Sequence, residues 1–461
     1  MSIGPNVGGG AAKTSLSIGI PQRIERLPIT SYQKLISFMI IMAVFFDAVD
    51  MGALTYLLPT LAQHFKLDSV MTGFLGSIGL AGMFLGAITS GILTDKFGRK
   101  AILMVCIILW GVSGLLVAMS WSVSSLFIFR FLLGIGLGGS YPAANSMVPE
   151  FLPKASRGRY SSLMEGLAPI GVLCAGIIAF FVLPNIGWRW VFVIEAIPAF
   201  WVLVIWRYVP ESPRWLESSG RKKEAEAVMG QIEAEVEKRY GSSLPPVDTS
   251  VATETDIKKA SFAELWSRNY YKRTIMLWVL WATSLFGYYA INLWLGALLV
   301  AKGFTVTKSI GYVILMTAGA IPGVLLTTYL IERLGRKPLV VVSMIGTALA
   351  AYFYGQAQTL PMVITCGLLM QFFLWIMWPS IYTYTPELYP TRMRGTGCGF
   401  SQAFGRLASL LGPSVTGVIL ASSLGQSMVF TVAGVTFVVG ALVVLLLGPE
   451  TKGRALEEVS S

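Results

Sequence analysis

The sequence predicts an all-α, polytopic membrane protein with about 12 transmembrane helices in two six-helix pseudo-repeat bundles, and three observations lead there. Apolar residues make up 54% of the 461 against 13% charged, more apolar surface than a soluble domain can hide. Lys and Arg cluster in every second loop, as they do in chains that cross a bilayer repeatedly. Three charged motifs recur at a nearly constant displacement between the halves.

Apolar stretches fall at 34–58, 69–92, 102–121, 124–148, 158–183, 188–208, 273–301, 308–331, 338–356, 360–385, 396–421 and 427–447. Each is near or beyond the roughly 20 residues a helix needs to span hydrocarbon. Lipid offers the backbone no hydrogen-bond partner, so segments of this length and composition are expected as helices rather than strands. Residues 1–33 are polar, with several Gly and Ser, and read as a loose cytoplasmic tail. The span behind them is too long, and too acidic at Asp47 and Asp50, for a cleaved signal peptide. Residues 34–210 then form the first bundle and 269–448 the second. Between them, 211–268 is a charged cytoplasmic connector with an amphipathic helix over 221–239 and a polar linker over 241–256. Residues 449–461 are a cytoplasmic C-terminal tail.

The net charge of +11 would suggest a nucleic-acid partner in a soluble chain, but its distribution explains it without one. The basic loops hold Lys96, Arg99 and Lys100; Lys154, Arg157 and Arg159; Arg221 to Lys223; Arg333, Arg336 and Lys337; Arg392 and Arg394. The alternate loops hold few cations, chiefly Lys66, Arg189, Lys302 and Lys308. The basic side is therefore expected in the cytoplasm, with both termini, in a plasma membrane that would be the inner one of a bacterium. Cys106, Cys174, Cys366 and Cys398 sit in apolar segments without CxxC spacing, which speaks against a disulfide framework or a zinc site. No HExxH, Walker-type loop or nucleophile-base pair is found, so neither an enzyme nor a cofactor is expected. His64, the single histidine, falls at the outer end of the first span.

The repeat is read from the motifs. Asp95-Lys-Phe-Gly98-Arg99-Lys100 returns as Glu332-Arg-Leu-Gly335-Arg336-Lys337, and Pro149-Glu150 before Arg157 returns as Pro386-Glu387 before Arg394, both displaced by 237 residues. Pro210-Glu211-Ser212-Pro213 returns as Pro449-Glu450-Thr451-Lys452, displaced by 239. A duplicated bundle places substrate between the halves near the bilayer midplane. Together with Arg130 followed by Gly134, Gly136 and Gly138, and with Pro210 to Leu216, these motifs resemble the major facilitator superfamily over essentially the whole chain after the leader. Within it the chain is similar to the sugar-porter and organic-ion branches and to aromatic-acid:proton symporters of the nicotinate type. The resemblance implies alternating access, with Asp95, Arg99, Glu150, Arg157, Glu387 and Arg394 as gating charges that hold the outward-facing state. Each could also be ordinary positive-inside loop charge.

Ionisable groups inside the spans are costly and usually partnered, and six stand out: Asp47, Asp50, Arg130, Glu165, Glu195 and Arg406. Asp50 and Arg130 could meet at similar depth as a proton-coupling pair, or as a static ion pair, with Asp47 and Glu165 as further proton-coupling carboxylates. The resemblance implies proton coupling for an Asp and an Arg at these positions in sugar porters. Asp47-Ala48-Val49-Asp50 is similar to the Asp-Gly-x-Asp of aromatic-acid symporters, with Ala48 in place of the glycine. Arg406 lies about 15 Å into its helix and either clamps a substrate carboxylate or pairs with Glu165, Glu195 or a helix end. In organic-anion carriers an Arg at this position supports anion transport. Around the expected cavity stand Tyr141, Tyr288, Tyr289, Trp294, Trp375, Trp378 and Tyr382, with Asn145, Asn292 and Gln402 as hydrogen-bonding groups. Stacking faces beside one cation suit a planar acid, although Trp and Tyr also pack between helices. The helix-seven Gln pair of sugar porters is replaced by Thr283-Ser284, and their helix-five Gln by Glu165.

The expected function is thus proton-coupled symport of a small organic anion, an aromatic monocarboxylate such as nicotinate or a benzoate-like acid, by a monomer, with the proton as coupling ion. The alternatives are a proton-coupled sugar or polyol symporter and a transporter-like receptor that binds without turnover.

Overall fold

The computed structural model describes residues 19–247 and 262–452, all helical or in connections. Twelve helical stretches are long and apolar enough to cross a membrane. In chain order the elements are α1 (Ile20–Glu25), α2 (Ser31–His64), α3 (Ser69–Phe97), α4 (Arg99–Ala118), α5 (Val123–Met147), α6 (Lys154–Gly166), α7 (Ala168–Ile186), α8 (Trp188–Ala196), α9 (Trp201–Tyr208), α10 (Pro213–Ser218) and α11 (Lys222–Tyr240). The second half holds α12 (Tyr271–Asn292), α13 (Leu295–Ala301), α14 (Val306–Thr317), α15 (Ala320–Leu334), α16 (Arg336–Gln356), α17 (Leu360–Glu387), α18 (Thr391–Ala421) and α19 (Gly425–Leu447).

The spans expected as continuous over 158–183, 188–208, 273–301 and 308–331 are each interrupted. α6 gives way to α7 at Leu167, just before Pro169, and Pro198 lies in the short 3-10 turn between α8 and α9. α12 ends at Asn292 before the short α13, and α14 and α15 part at Ala318 and Gly319, three residues before Pro322. Proline lacks the N–H that continues the ladder, which accounts for the breaks beside Pro169, Pro198 and Pro322.

The duplication is visible in packing. α3 packs on α5 as α15 packs on α17, α4 on α8 as α16 on α19, and α2 on α7 as α12 on α18. Outward faces carry exposed apolar side chains such as Ile92, Phe181, Leu325 and Val418, as helices facing lipid require.

The leader departs from expectation. Residues 19–33 are not a loose tail: α1 is tied to the connector helix α11 by Arg23 to Glu226 and Glu233 and by Arg26 to Glu233, all at 2.5 Å. Glu25 reaches Arg157 in the first half and Arg214 in the connector. α11 is amphipathic as expected, burying Ala225, Met229, Ile232 and Val236. Residues 1–18, most of the polar linker and the last nine residues lie outside the described residues.

The two halves meet on the side away from the basic loops. Ser77 Oγ donates to the Leu410 carbonyl at 2.6 Å and shares a hydrogen bond with Ser414 at 2.7 Å. A Cβ on Gly73 would come within 2.6 Å of the Pro413 carbonyl oxygen, so only glycine lets α3 and α18 approach this closely. α7 packs on α14 and α13 on α2 on the same side. On the basic side, no ion pair among the described residues joins the two halves: each stays within one half or within the connector, or ties the leader to the connector or the first half.

Candidate functional site

Between the halves lies a cavity of about 490 Å³ that extends toward the basic face as far as Ser162 and Ile331. α12 contributes one stripe to it: Trp281, Leu285, Tyr288, Tyr289 and Asn292, spaced as one helical face. Trp375, Trp378, Pro379 and Tyr382 of α17 face them. The rings interlock edge to face: Tyr288 meets Trp378 at 5.6 Å and 79°, and Trp281 meets Tyr382 at 5.1 Å and 83° between centroids. Edge-to-face packing is a favoured arrangement of aromatic rings and stiffens the wall. Trp281 was not among the residues singled out from sequence, although its spacing from Tyr288 places it on the same stripe.

The charged lining consists of Asp47, Glu165 and Arg406 among the described residues. Glu165 ends α6 at the helix break and accepts a hydrogen bond from the Tyr141 hydroxyl. Arg406, half-buried on α18, makes neither a side-chain hydrogen bond nor an ion pair within 4.0 Å to any described residue, though Glu165 lies close enough to interact with it electrostatically. Asp47 accepts from Ser140, a partner sequence reading did not identify. Gln402 lines the cavity, whereas Asn292 is committed, accepting from Gln371 at 2.5 Å and donating to the Tyr288 carbonyl at 3.1 Å. Tyr289 donates to Met51 Sδ at 3.8 Å, linking the halves.

Two of the expected cavity groups lie elsewhere. Asn145, a turn beyond Tyr141 toward the basic face, is exposed and outside the lining. Trp294 is buried in the break between α12 and α13. Asp50 and Arg130 are also behind the wall, 2% and 4% exposed, and come close enough to interact without an N–O contact within 4.0 Å. Glu195 of α8, 2% exposed, completes a triad with them. Arg130 is wedged under α3, where a Cβ on Gly79 would lie 3.7 Å from Nη2, and its guanidinium sits 5.9 Å from the Phe192 ring centroid. Asp50 Oδ2, Arg130 Nε and Nη1 and both Glu195 oxygens are buried without a hydrogen-bond partner.

At the basic face the repeated motifs build the same device twice. Arg99 joins Asp95 at 3.6 Å and Glu150 at 3.2 Å; Arg336 joins Glu332 at 2.8 Å and Glu387 at 3.1 Å. Each of these pairs closes within its own half, and none joins the two halves in this conformation. Arg157 is taken by Glu25, and Arg394 Nε donates to the Pro386 carbonyl at 3.0 Å. α4 and α16 both start at a glycine of positive φ, Gly98 at 103° and Gly335 at 96°. The first two backbone N–H groups of each point at a distant carboxylate: Arg99 and Lys100 at Glu211, both at 3.1 Å, and Arg336 and Lys337 at Glu450, at 3.1 and 3.2 Å. A carboxylate at a helix N-terminus satisfies orphan donors and the dipole together. The recurrence of Glu211 as Glu450 was readable, but its capping role was not, because the two partners lie more than 110 residues apart.

Residues 31–461 match the family described as sugar (and other) transporter. The chain belongs to that family, within the major facilitator superfamily. The niacin transporter NiaP of Acinetobacter baylyi is 36% identical over 438 residues, covering 95% of this chain and 98% of its own. The putative niacin/nicotinamide transporter NiaP of Bacillus subtilis is 33% identical, covering 89% and 95%. The xylose transporter XylE from Escherichia coli, solved in an inward open conformation, superposes with a TM-score of 0.71 at 21% identity over 93% of this chain and 99% of its own, a likeness of fold. This member of the superfamily is a multi-pass membrane transporter, as its relatives are named, and not an enzyme.

Proposed function

We propose that this transporter carries nicotinate, or a planar aromatic monocarboxylate like it, together with a proton by alternating access. The observation that carries the reading is Arg406: a cation without a side-chain partner among the described residues, in a cavity walled by Trp281, Tyr288, Trp378 and Tyr382. A guanidinium binds a carboxylate through two parallel N–H donors, and ring faces take up the flat body of the acid. The names of the 33% and 36% identical relatives support nicotinate over other acids of that shape. Sugar recognition would need several free amides, and of the cavity's two, Gln402 and Asn292, the second is already bonded to Gln371.

Proton coupling belongs to the triad behind the wall. Two carboxylates and one guanidinium, all buried and incompletely bonded, carry one negative charge too many for a low-dielectric site, so a proton on Asp50 or Glu195 neutralises the set. Asp50 lies on α2, Arg130 on α5 and Glu195 on α8, so a shift of α2 against the other two would alter proton affinity. The structure then represents the state open to the basic side, which the positive-inside rule assigns to the cytoplasm, along with both termini. One duplicated bundle encloses the cavity, so a monomer suffices.

The reading is tested by competition against labelled nicotinate uptake in proteoliposomes. Unlabelled nicotinate and benzoate are expected to compete, while nicotinamide, which has the ring without the charge, and xylose are not. Competition by xylose with none by benzoate would replace the acid reading with the sugar one.

A further inference from the structure

The charges of the cavity itself point to a second proton site, separate from the triad behind the wall. Asp47, Glu165 and Arg406 sum to one negative charge when all are ionised, so an incoming anion would bring the total to two negative charges in a largely apolar space. A second excess charge in such a site is opposed by its desolvation, and the ordinary remedy is protonation of a carboxylate. The two carboxylates are not equivalent. Asp47 is held by Ser140 and lies toward Asp50, on the side of the triad. Glu165 stands at the break between α6 and α7, held by Tyr141, and its charge acts on Arg406 in the opposite half.

We propose that Glu165 is a substrate-linked proton site: as a carboxylate it offsets the charge of Arg406 across the empty cavity without pairing with it, and its protonation leaves that charge to the carboxylate of the substrate. The inference rests on the anion reading above and deepens it. Glu165 then works as an internal stand-in for the substrate, and its link from the first half to Arg406 in the second is exchanged for one made by the bound acid. The groups that face Glu165 are few. Tyr141 of α5 donates to it, and Arg406 of α18 and Tyr382 of α17 lie close enough to interact with it, while Asp47 of α2 and Tyr288 and Tyr289 of α12 share the cavity lining with it among the described residues. Glu150, in the turn that α6 packs against, is paired with Arg99. Of these, Arg406 is the cation and Tyr141 the hydrogen-bond donor.

The test is nicotinate binding to the purified full chain by calorimetry, between about pH 6 and 8.5, where the ligand is an anion, in buffers of different ionisation enthalpy. The wild-type chain is expected to take up close to one proton per nicotinate at the alkaline end, with affinity falling about tenfold per pH unit there. Glu165→Gln is expected to remove that proton uptake and flatten the pH dependence at least tenfold over the range. Tyr141→Phe, which keeps the titrating group but removes its donor, is expected to shift the onset of the decline to higher pH with its slope retained. Binding by Glu165→Gln with undiminished proton uptake overturns the inference and leaves the anion reading standing. If Glu165→Gln does not fold, an unshifted onset in Tyr141→Phe overturns it instead. No nicotinate binding to the wild-type chain at any pH overturns the anion reading, and the inference with it.

Discussion

At the scale of single residues, the account turns on groups whose bonding capacity is not filled by the protein. Arg406 offers a guanidinium fork to the cavity, and charge-assisted bonds to it are worth about 1.5–3 kcal/mol. Arg406→Ala is therefore expected to weaken nicotinate binding roughly 10–150-fold. Arg406→Lys, which keeps the charge and loses the fork, should recover part of the loss. Equal affinities for Arg406→Ala and wild type in a direct binding assay would return this residue to a structural role. Asp50→Asn separates the proton of the triad from that of Glu165: the variant is expected to exchange labelled for unlabelled nicotinate but to lose part of its accumulation against a gradient. Undiminished accumulation would remove Asp50 from the proton path. Sequence alone singled out Arg406, Glu165 and the Asp50 and Arg130 pair, because a charge inside an apolar span is conspicuous. It did not unite Glu195 with Asp50 and Arg130, since a contact among α2, α5 and α8 leaves no trace in the spacing along any one helix.

At the scale of elements, glycine and proline decide where helices start, break and meet. Gly98 and Gly335 turn the chain at a positive φ just where a Cβ would strike the capping carboxylates of Glu211 and Glu450. Gly98→Ala combines a strained backbone, about 1–3 kcal/mol, with a clash against Glu211 Oε2. It is expected to lower the thermal midpoint of the purified protein more than Gly91→Ala on α3, where a Cβ meets nothing within 4 Å. An equal midpoint for the two would show that the cap is dispensable. Gly73 belongs to the closed side of the carrier. Gly73→Leu cannot be accommodated against Pro413 and is expected to hold the halves apart there, raising alkylation of a cysteine placed at Ser77 from that side of the membrane. Twelve spans and their duplication were legible in hydropathy and repeated motifs, with ends within several residues of those found. The breaks were not anticipated, because apolar composition runs straight through Leu167 and Ala318 and only proline and glycine mark them.

At the scale of the whole molecule, the halves are sealed away from the basic loops and parted toward them, while the leader and connector brace the first half from the basic side. α1 joins this brace through Glu233. Burial alone would raise the Glu233 carboxyl, but hydrogen bonds and charge from Arg23 and Arg26 outweigh it and hold it below the ordinary carboxylate range. A group depressed in the folded state stabilises above its unfolded value, about 4.3, and that contribution is lost as pH falls through the lower folded value. Amide exchange in α1, corrected for intrinsic rates, is expected to rise below about pH 4 and to be fast already at neutral pH in Glu233→Gln. Unchanged exchange in the variant would show that apolar contacts of Ile20 and Ile24 hold α1 without it. The leader was misread because its Gly- and Ser-containing start masks the short apolar and charged run that docks, and the acidic face of α11 that receives it lies about 200 residues away.

The central claim is that an organic anion and a proton cross together, with Arg406 holding the anion. It is tested most directly by uptake of labelled nicotinate into proteoliposomes under an inward proton gradient, with a protonophore control and Arg406→Ala in parallel. The account predicts accumulation that the protonophore abolishes and the variant lacks. Accumulation unaffected by the protonophore, or undiminished in Arg406→Ala, would contradict it.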